Sequence, residues 1–265
     1  EMVIVRIIRE QLSPQHAYFI VEMGAYGIGS IARLCDLTPP KLSVITAIGQ
    51  AHYERFKTLD DTTRAKFEIA EAVLAQQGHI ILHDSVLEQP FAKSFYDVHK
   101  DNVITVGTTG QAKIISSTQT EDGLLIILQW KNIEYTIATP LYGLHHAGNI
   151  ALAFATAAHL GMDPAHIVIA LKSAPQISHR LEVKRFPDHI LIDDAYNSNP
   201  KGFSSALDLL HLLGQHTRRI LVTPGIVELG ADHDSAHHSL GLKAAETADI
   251  VIAVCPERIR SFSEG

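Results

Sequence analysis

The chain is poor in cysteine, in basic charge and in long apolar runs, and each shortage excludes a class of protein. Cys35 and Cys255 are the only cysteines in 265 residues and stand far apart, which argues against a disulfide framework and makes a reducing cytoplasm the expected location. Each lies in an apolar helix or strand pattern, which predicts a buried, unreactive thiol. Lys and Arg number 22 against 29 Asp and Glu, for a net charge of −7, and no basic stripe is present. That balance excludes a nucleic-acid surface, which needs clustered cations against phosphate. The 16 histidines soften the balance near neutrality. Small anionic ligands remain open, because helix N-termini and metals hold them on acidic proteins. No apolar run reaches the roughly 18 residues that span a bilayer, and no charged-then-apolar leader opens the chain, so no membrane insertion is expected. Internal repeats and low-complexity tracts are also missing.

What is present is ordinary core-forming composition, 46% hydrophobic and 19% charged, in a length compatible with two domains. The chain starts at Glu1 on an amphipathic helical pattern and stops at Gly265 soon after a strand and turn, so both ends read as cut from something longer. Between them strand and helix alternate, which argues for an α/β fold. Strands are expected at residues 16–22, 42–48, 80–83 and 103–106, with a short helix at 28–35. A longer helix is expected at 62–76, capped by Thr62 and stopped by Gly78. Residues 112–138 read as short antiparallel strands turning at Glu121, Asp122 and Gly123. Helices follow at 147–160 and 164–173. A new register begins with strands at 180–185 and 190–193, a helix at 202–213, a strand at 219–223, a helix at 235–247 and a strand at 250–254. The expected division is a larger parallel-sheet domain, residues 1–176, and a smaller parallel-sheet domain, residues 177–265.

Candidate chemistry sits where parallel strands deliver side chains to the carboxyl edge of a sheet, the edge at which such sheets bind ligands. Glu22 closes one apolar strand, followed by Gly24 and Ala25, which leave room beside a hard oxygen ligand suited to magnesium. Alone it reads equally as a helix-capping or solvated acid. His52 follows the small residues Gly49 and Ala51 and is a ligand, a base or a surface imidazole. Lys66 lies between Ala65 and Phe67, and desolvation there lowers a lysine pKa and makes the amine nucleophilic. Most helix lysines are simply solvated. Asp193, Asp194, Tyr196, Asn197, Asn199 and Pro200 form either an Asx-type turn or the lip of a cleft. Gly143, His145, His146 and Asn149 open an alanine-rich helix, as a capping loop or as a polar group offered to a base or ribose.

Taken together, these residues resemble the Mur ligase family, and most closely its MurF branch, over about residues 3–262. The family's Glu-x-Gly-Ala element is matched by Glu22, Gly24 and Ala25, and its Ala-His-x-Glu-x-Phe element by Ala51, His52, Glu54 and Phe56. Ala65, Lys66 and Glu68 match Ala-Lys-x-Glu. The Asp-Asp-x-Tyr-Asn-x-Asn-Pro signature is matched in full from Asp193 to Pro200. Val227, Glu228, Leu229 and Gly230, with His237 and Gly241, resemble a further segment of the branch.

The resemblance implies a parallel-sheet ATPase domain followed by part of a Rossmann-like domain. By it, Glu22 holds the magnesium between the β- and γ-phosphates of ATP, His52 holds a second magnesium, and Lys66 is carbamylated and orients that second ion. Asn149 faces the adenine, Arg180 the phosphates and Asp194 the ribose; the role of His179, beside Arg180, stays open. The implied reaction is the cytoplasmic joining of D-alanyl-D-alanine to a UDP-N-acetylmuramoyl-tripeptide through an acyl phosphate, in peptidoglycan synthesis, by a monomer. Two cations and an arginine suit the charge gathered on the transferring oxygens. Another Mur-like amide ligase, of folylpolyglutamate or cyanophycin type, and an ATP-inactive scaffold are the alternatives. The sequence departs from the family in having no Gly-x-x-x-x-Gly-Lys-[Ser/Thr] loop, expected ahead of Glu1, and no UDP-sugar domain. His146 replaces an asparagine, and Pro224-Gly225 replaces the usual glycine-acid pair.

Overall fold

The structure is a computed structural model and describes residues 2–49, 58–196, 199–227 and 229–265. In chain order the elements are α1 (Met2–Glu10), α2 (Ser30–Leu37), β1 (Leu42–Ile45), α3 (Leu59–Ala75), β2 (His79–His83), α4 (Pro90–Val98) and β3 (Val103–Gly107). Then come β4 (Ala112–Thr120), β5 (Gly123–Trp130), β6 (Ile133–Thr139), α5 (His146–His159) and α6 (Pro164–Leu171). The last stretch holds β7 (Glu182–Arg185), β8 (Ile190–Asp193), α7 (Pro200–Leu213), β9 (Ile220–Thr223), α8 (His233–Thr247), β10 (Ile250–Ala253) and α9 (Arg260–Glu264).

Strands β1 to β6 lie in sequence order in one sheet. The first three and the start of β4 are parallel, with Leu42 opposite His79, Ile80 opposite Val103 and Val106 opposite Ala112. Parallel pairing demands crossover connections, and α3 and α4 supply them. β2 carries Ile80, Ile81 and Leu82 with no exposed surface, the continuous apolar run of a strand covered on both faces. β4 and β5 are joined by Glu121 and Asp122, as the turn signal predicts. β5 and β6 are joined by Lys131 and Asn132, both left-handed at φ 50° and 64°, the conformation a two-residue hairpin turn requires.

By compactness the chain divides into two units. The first comprises Glu1–Ile114, Gln129–Ile133 and Gly148–Gly161. Its core gathers Phe67, Ala70 and Val73 of α3 against Ile45, Ile80, Leu82 and Val103 of the sheet. Phe67 meets Phe91 and Phe95 edge to face, at ring-centroid distances of 5.6 and 5.1 Å. The second comprises Ile115–Leu128, Glu134–Ala147 and Met162–Gly265. Phe203 and Leu207 of α7 pack there with Leu240 and Ala244 of α8 and with Ile226, Ile259 and Phe262. β9 and β10 are parallel, whereas β7 and β8 pair antiparallel, Glu182 opposite Asp193.

Several expectations need correction. Residues 16–22 form no strand: no neighbour among the described residues accepts their backbone groups in a ladder, and Ile20 is 92% exposed. The cap of α3 is Thr58, whose hydroxyl accepts the Asp61 N–H at 3.1 Å, with Asp60 and Asp61 in the first turn. Thr62 is buried one turn on, its hydroxyl donating to the Thr58 carbonyl at 3.2 Å. After α3 the left-handed residue is Gln77, φ 54°, one position ahead of Gly78. Cys35 is buried in α2 as expected, but Cys255 is exposed, because β10 ends before it and it turns left-handed at φ 57°.

Candidate functional site

Lys66 stands on α3, half-buried, and its ammonium donates to the carbonyl of Ala47 at 2.9 Å, just beyond the carboxyl end of β1. Burial lowers its pKa from the ordinary lysine value, since the charged form loses solvation that one carbonyl restores only in part. The amine therefore sits at the ligand-binding margin of the parallel sheet in a state closer to neutral than a solvated lysine.

Two residues along, Glu68 reaches the start of α2. Its carboxylate accepts the N–H of Gly29 at 2.5 Å and that of Ala32 at 2.9 Å. A helix N-terminus has unpaired N–H groups and partial positive charge, and a carboxylate satisfies both. Gly29, at the N-cap position of α2, has no side chain to do so. Glu68 thus ties α3 to the helix that follows Glu22, a role the sequence does not show, where Glu68 is only the acid of the Ala-Lys-x-Glu element. Glu22 itself is exposed, in the irregular stretch leading into α2, with no ion pair among the described residues. His52 lies outside the described residues, as do Glu54, Phe56, Asn197, Ser198 and Glu228.

In the second unit, Arg180 and Asp194 fall in one cluster. The Arg180 guanidinium lies 4.5 Å from the ring centre of Tyr196, and Asp194 accepts the Leu181 N–H at 3.1 Å. Burial raises the Asp194 pKa, opposed by that backbone bond and by Arg180. The turn carrying Arg180 has two left-handed residues, His179 at φ 62° and Leu181 at φ 48°, which Asp194 and the Tyr196 N–H, bonded to the His179 carbonyl at 3.1 Å, hold in place. His179, Glu182 and Asp193 offer ligand atoms within 4.8 Å of one another. Lys184 already bridges both carboxylates, 3.0 Å from Glu182 and 3.1 Å from Asp193, so the group is an ion-pair network.

Asn149 is exposed on the first turn of α5, in the first unit. His146, at the start of that helix, belongs to the second unit and has its pKa pushed down to about 4, by burial first and then by the neighbouring charges of His145 and Arg180. It is a neutral imidazole at pH 7. His237 and Gly241, singled out as a motif, are packing devices. The His237 ring is fully buried, with Nε2 accepting the Ile226 N–H at 3.0 Å and Nδ1 facing the His233 carbonyl at 2.8 Å. A Cβ at Gly241 would come 2.1 Å from the Phe262 carbonyl oxygen, so only glycine lets α9 approach α8 there.

Residues 3–157 match the Mur ligase middle domain. The chain belongs to the Mur ligase family. Among its Mur relatives, the UDP-N-acetylmuramoyl-tripeptide--D-alanyl-D-alanine ligase of Bacillus subtilis is 28% identical over 223 residues, 84% of this chain and 47% of that protein. The ligase of the same description from Synechocystis is 30% identical over 234 residues, covering 88% and 49%. A crystal structure of MurF from Acinetobacter baumannii superposes with a TM-score of 0.83 at 27% identity, covering 96% of this chain and 55% of that one. The Mur chain here therefore spans about half the length of the curated relatives it matches. The likeness supports the α/β reading with a mostly parallel central sheet. No helix among the described residues is long and apolar enough to cross a membrane.

Proposed function

We propose that this chain supplies the ATP-handling half of a Mur-type amide ligase, acting in the cytoplasm as a monomer and joining D-alanyl-D-alanine to a UDP-N-acetylmuramoyl-tripeptide. The observation that carries the reading is the half-buried Lys66 amine at the carboxyl end of β1, within the family's middle domain. On this reading residues 1–176 form the ATPase domain and residues 177–265 begin the C-terminal one.

The residues present fit the groups the reaction needs. Glu22 is an exposed hard-oxygen donor with no ion pair among the described residues, which suits a magnesium ligand. His52 is the reading's second metal ligand. Burial of Lys66 enlarges its neutral fraction, the form that adds carbon dioxide to give an anionic carbamate. Magnesium, when bound, supplies charge neutralisation of the phosphate oxygens. Arg180 adds a fixed cation for the same charge, Asp194 accepts from a ribose hydroxyl, and Asn149 offers an amide to the adenine. The substrate carboxylate attacks the γ-phosphorus, ADP leaves, and the dipeptide amine displaces phosphate from the acyl phosphate.

The test is phosphate release by the whole gene product containing these residues, with ATP, magnesium, the UDP-muramoyl tripeptide and D-alanyl-D-alanine. Release that requires both acceptor substrates, falls about 10²-fold or more in Lys66→Ala and recovers partly with added short-chain carboxylates is expected, since the carbamate acts through its charge. Full activity in Lys66→Ala, with no response to bicarbonate, refutes the carbamate; activity with glutamate in place of the dipeptide refutes the acceptor.

A further inference from the structure

Glu22 belongs to no ladder among the described residues, so the attachments that place it lie in the stretch that follows. That stretch is fastened to α2. The Cys35 thiol, buried in the helix, lies 3.9 Å from the sulfur of Met23, the residue next to Glu22. Burial, then the charges of Asp36 and Glu68, raise the thiol pKa, so the thiol keeps its proton and donates to the thioether. The Ser30 hydroxyl accepts the Tyr26 N–H at 3.1 Å and donates to the Gly27 carbonyl at 2.6 Å.

α2 is fastened in turn to α3. One oxygen of the Glu68 carboxylate takes the Gly29 N–H and the other takes the Ala32 N–H, so the pair of bonds sets the angle of α2 as well as its distance. Lys66 stands two residues before Glu68, which on a helix is nearly the opposite side. Its ammonium is seated on the Ala47 carbonyl beyond the end of β1. A single helix therefore presents Lys66 on one side and, through Glu68, α2 and Cys35, holds the neighbour of Glu22 on the other.

We propose that Glu68 is a positioning residue for the metal site, fixing by way of α2 where Glu22 stands relative to Lys66. The inference rests on the reading of Glu22 as a magnesium ligand and gives a task to a residue that this reading leaves idle. Ligands carried on separate segments hold an ion well only when their spacing is set beforehand by the groups behind them. Losing such a supporting partner costs a metal site about 10- to 100-fold in affinity. Glu68 acts at one remove, through a helix, so the lower end of that range applies.

The test is titration of the whole gene product with Mn²⁺, in the presence of an ATP analogue that cannot be cleaved between its β- and γ-phosphates. Free Mn²⁺ is read by electron paramagnetic resonance, so no turnover is needed. Glu22→Gln identifies the ion that Glu22 holds by weakening it. Glu68→Ala is expected to weaken that same ion about tenfold, and Glu68→Gln, which still accepts one N–H, to weaken it less. His237→Leu serves as the control, because it destabilises the second unit by orphaning a buried N–H and should leave Mn²⁺ affinity at the wild-type value. If Glu22→Gln weakens the ion and Glu68→Ala does not, the role of Glu68 is overturned and the metal reading stands. If Glu68→Ala and His237→Leu weaken it alike, the effect is general destabilisation and the inference falls. If Glu22→Gln changes nothing, the metal reading falls and the inference with it. Should Glu68→Ala fail to fold, Glu68→Gln against His237→Leu still decides.

Discussion

Removing the Glu68 carboxylate tests how α2 is held. The acid satisfies the N–H groups of Gly29 and Ala32, and α2 has no cap of its own. Losing an N-cap interaction costs about 0.5–2 kcal/mol, and losing a negative charge beside a helix N-terminus about 0.3–1 kcal/mol. Both N–H groups are only partly buried, so water recovers some of the loss, and Glu68→Ala should destabilise by about 2 kcal/mol. At this chain length, about 2–4 °C per kcal/mol, the melting temperature should fall by about 4–8 °C. Glu68→Gln should cost roughly half as much, because its amide oxygen still accepts one N–H while its NH2 opposes the other. Urea melts of the three proteins give the totals, and amide exchange at Gly29 and Ala32 localises the effect. A Glu68→Ala protein that melts within about 1 °C of wild type, with both amides exchanging at the old rate, would show that α2 is held by its apolar face alone.

An NMR titration should place the His146 midpoint near pH 4, and Arg180→Gln should raise it by removing one neighbouring charge. The unfolded chain titrates near 6.5, so it takes up its proton first; stability falls as pH drops from 6.5 to about 4 and then levels off. A midpoint above 6 contradicts the burial of that ring. His237→Leu fills the same space but orphans the buried Ile226 N–H, and should lower stability by about 1–3 kcal/mol in a denaturant melt. An unchanged midpoint would mean that the N–H finds another acceptor.

The alternation of elements was legible because the chain's periodicities are strong: the apolar run of β2 and the alanine-rich α5 lie within a residue or two of expectation. Ends were less so. Thr58 and Thr62 both suit a cap, and only the packing of Thr62 into the interior chooses between them. Residues 16–22 have strand composition, yet a strand is a property of two segments, and one segment's sequence cannot supply the other. The left-handed Lys131 and Asn132 carry no glycine to announce their turn. At the site, Lys66 was readable as a lysine in apolar company. The tie made by Glu68 was not, because it depends on which N–H groups tertiary structure brings within reach.

The two thiols have opposite circumstances. Cys35 is enclosed in α2, and burial, followed by the charges of Asp36 and Glu68, raises its pKa and keeps it protonated. Cys255 stands open to solvent at the tip of β10. A maleimide dye added to the native protein should therefore mark one position without any engineered cysteine. The second unit comes with its own attachment point for a fluorescent or spin reporter, and unfolding can be followed as the appearance of a second reactive sulfur.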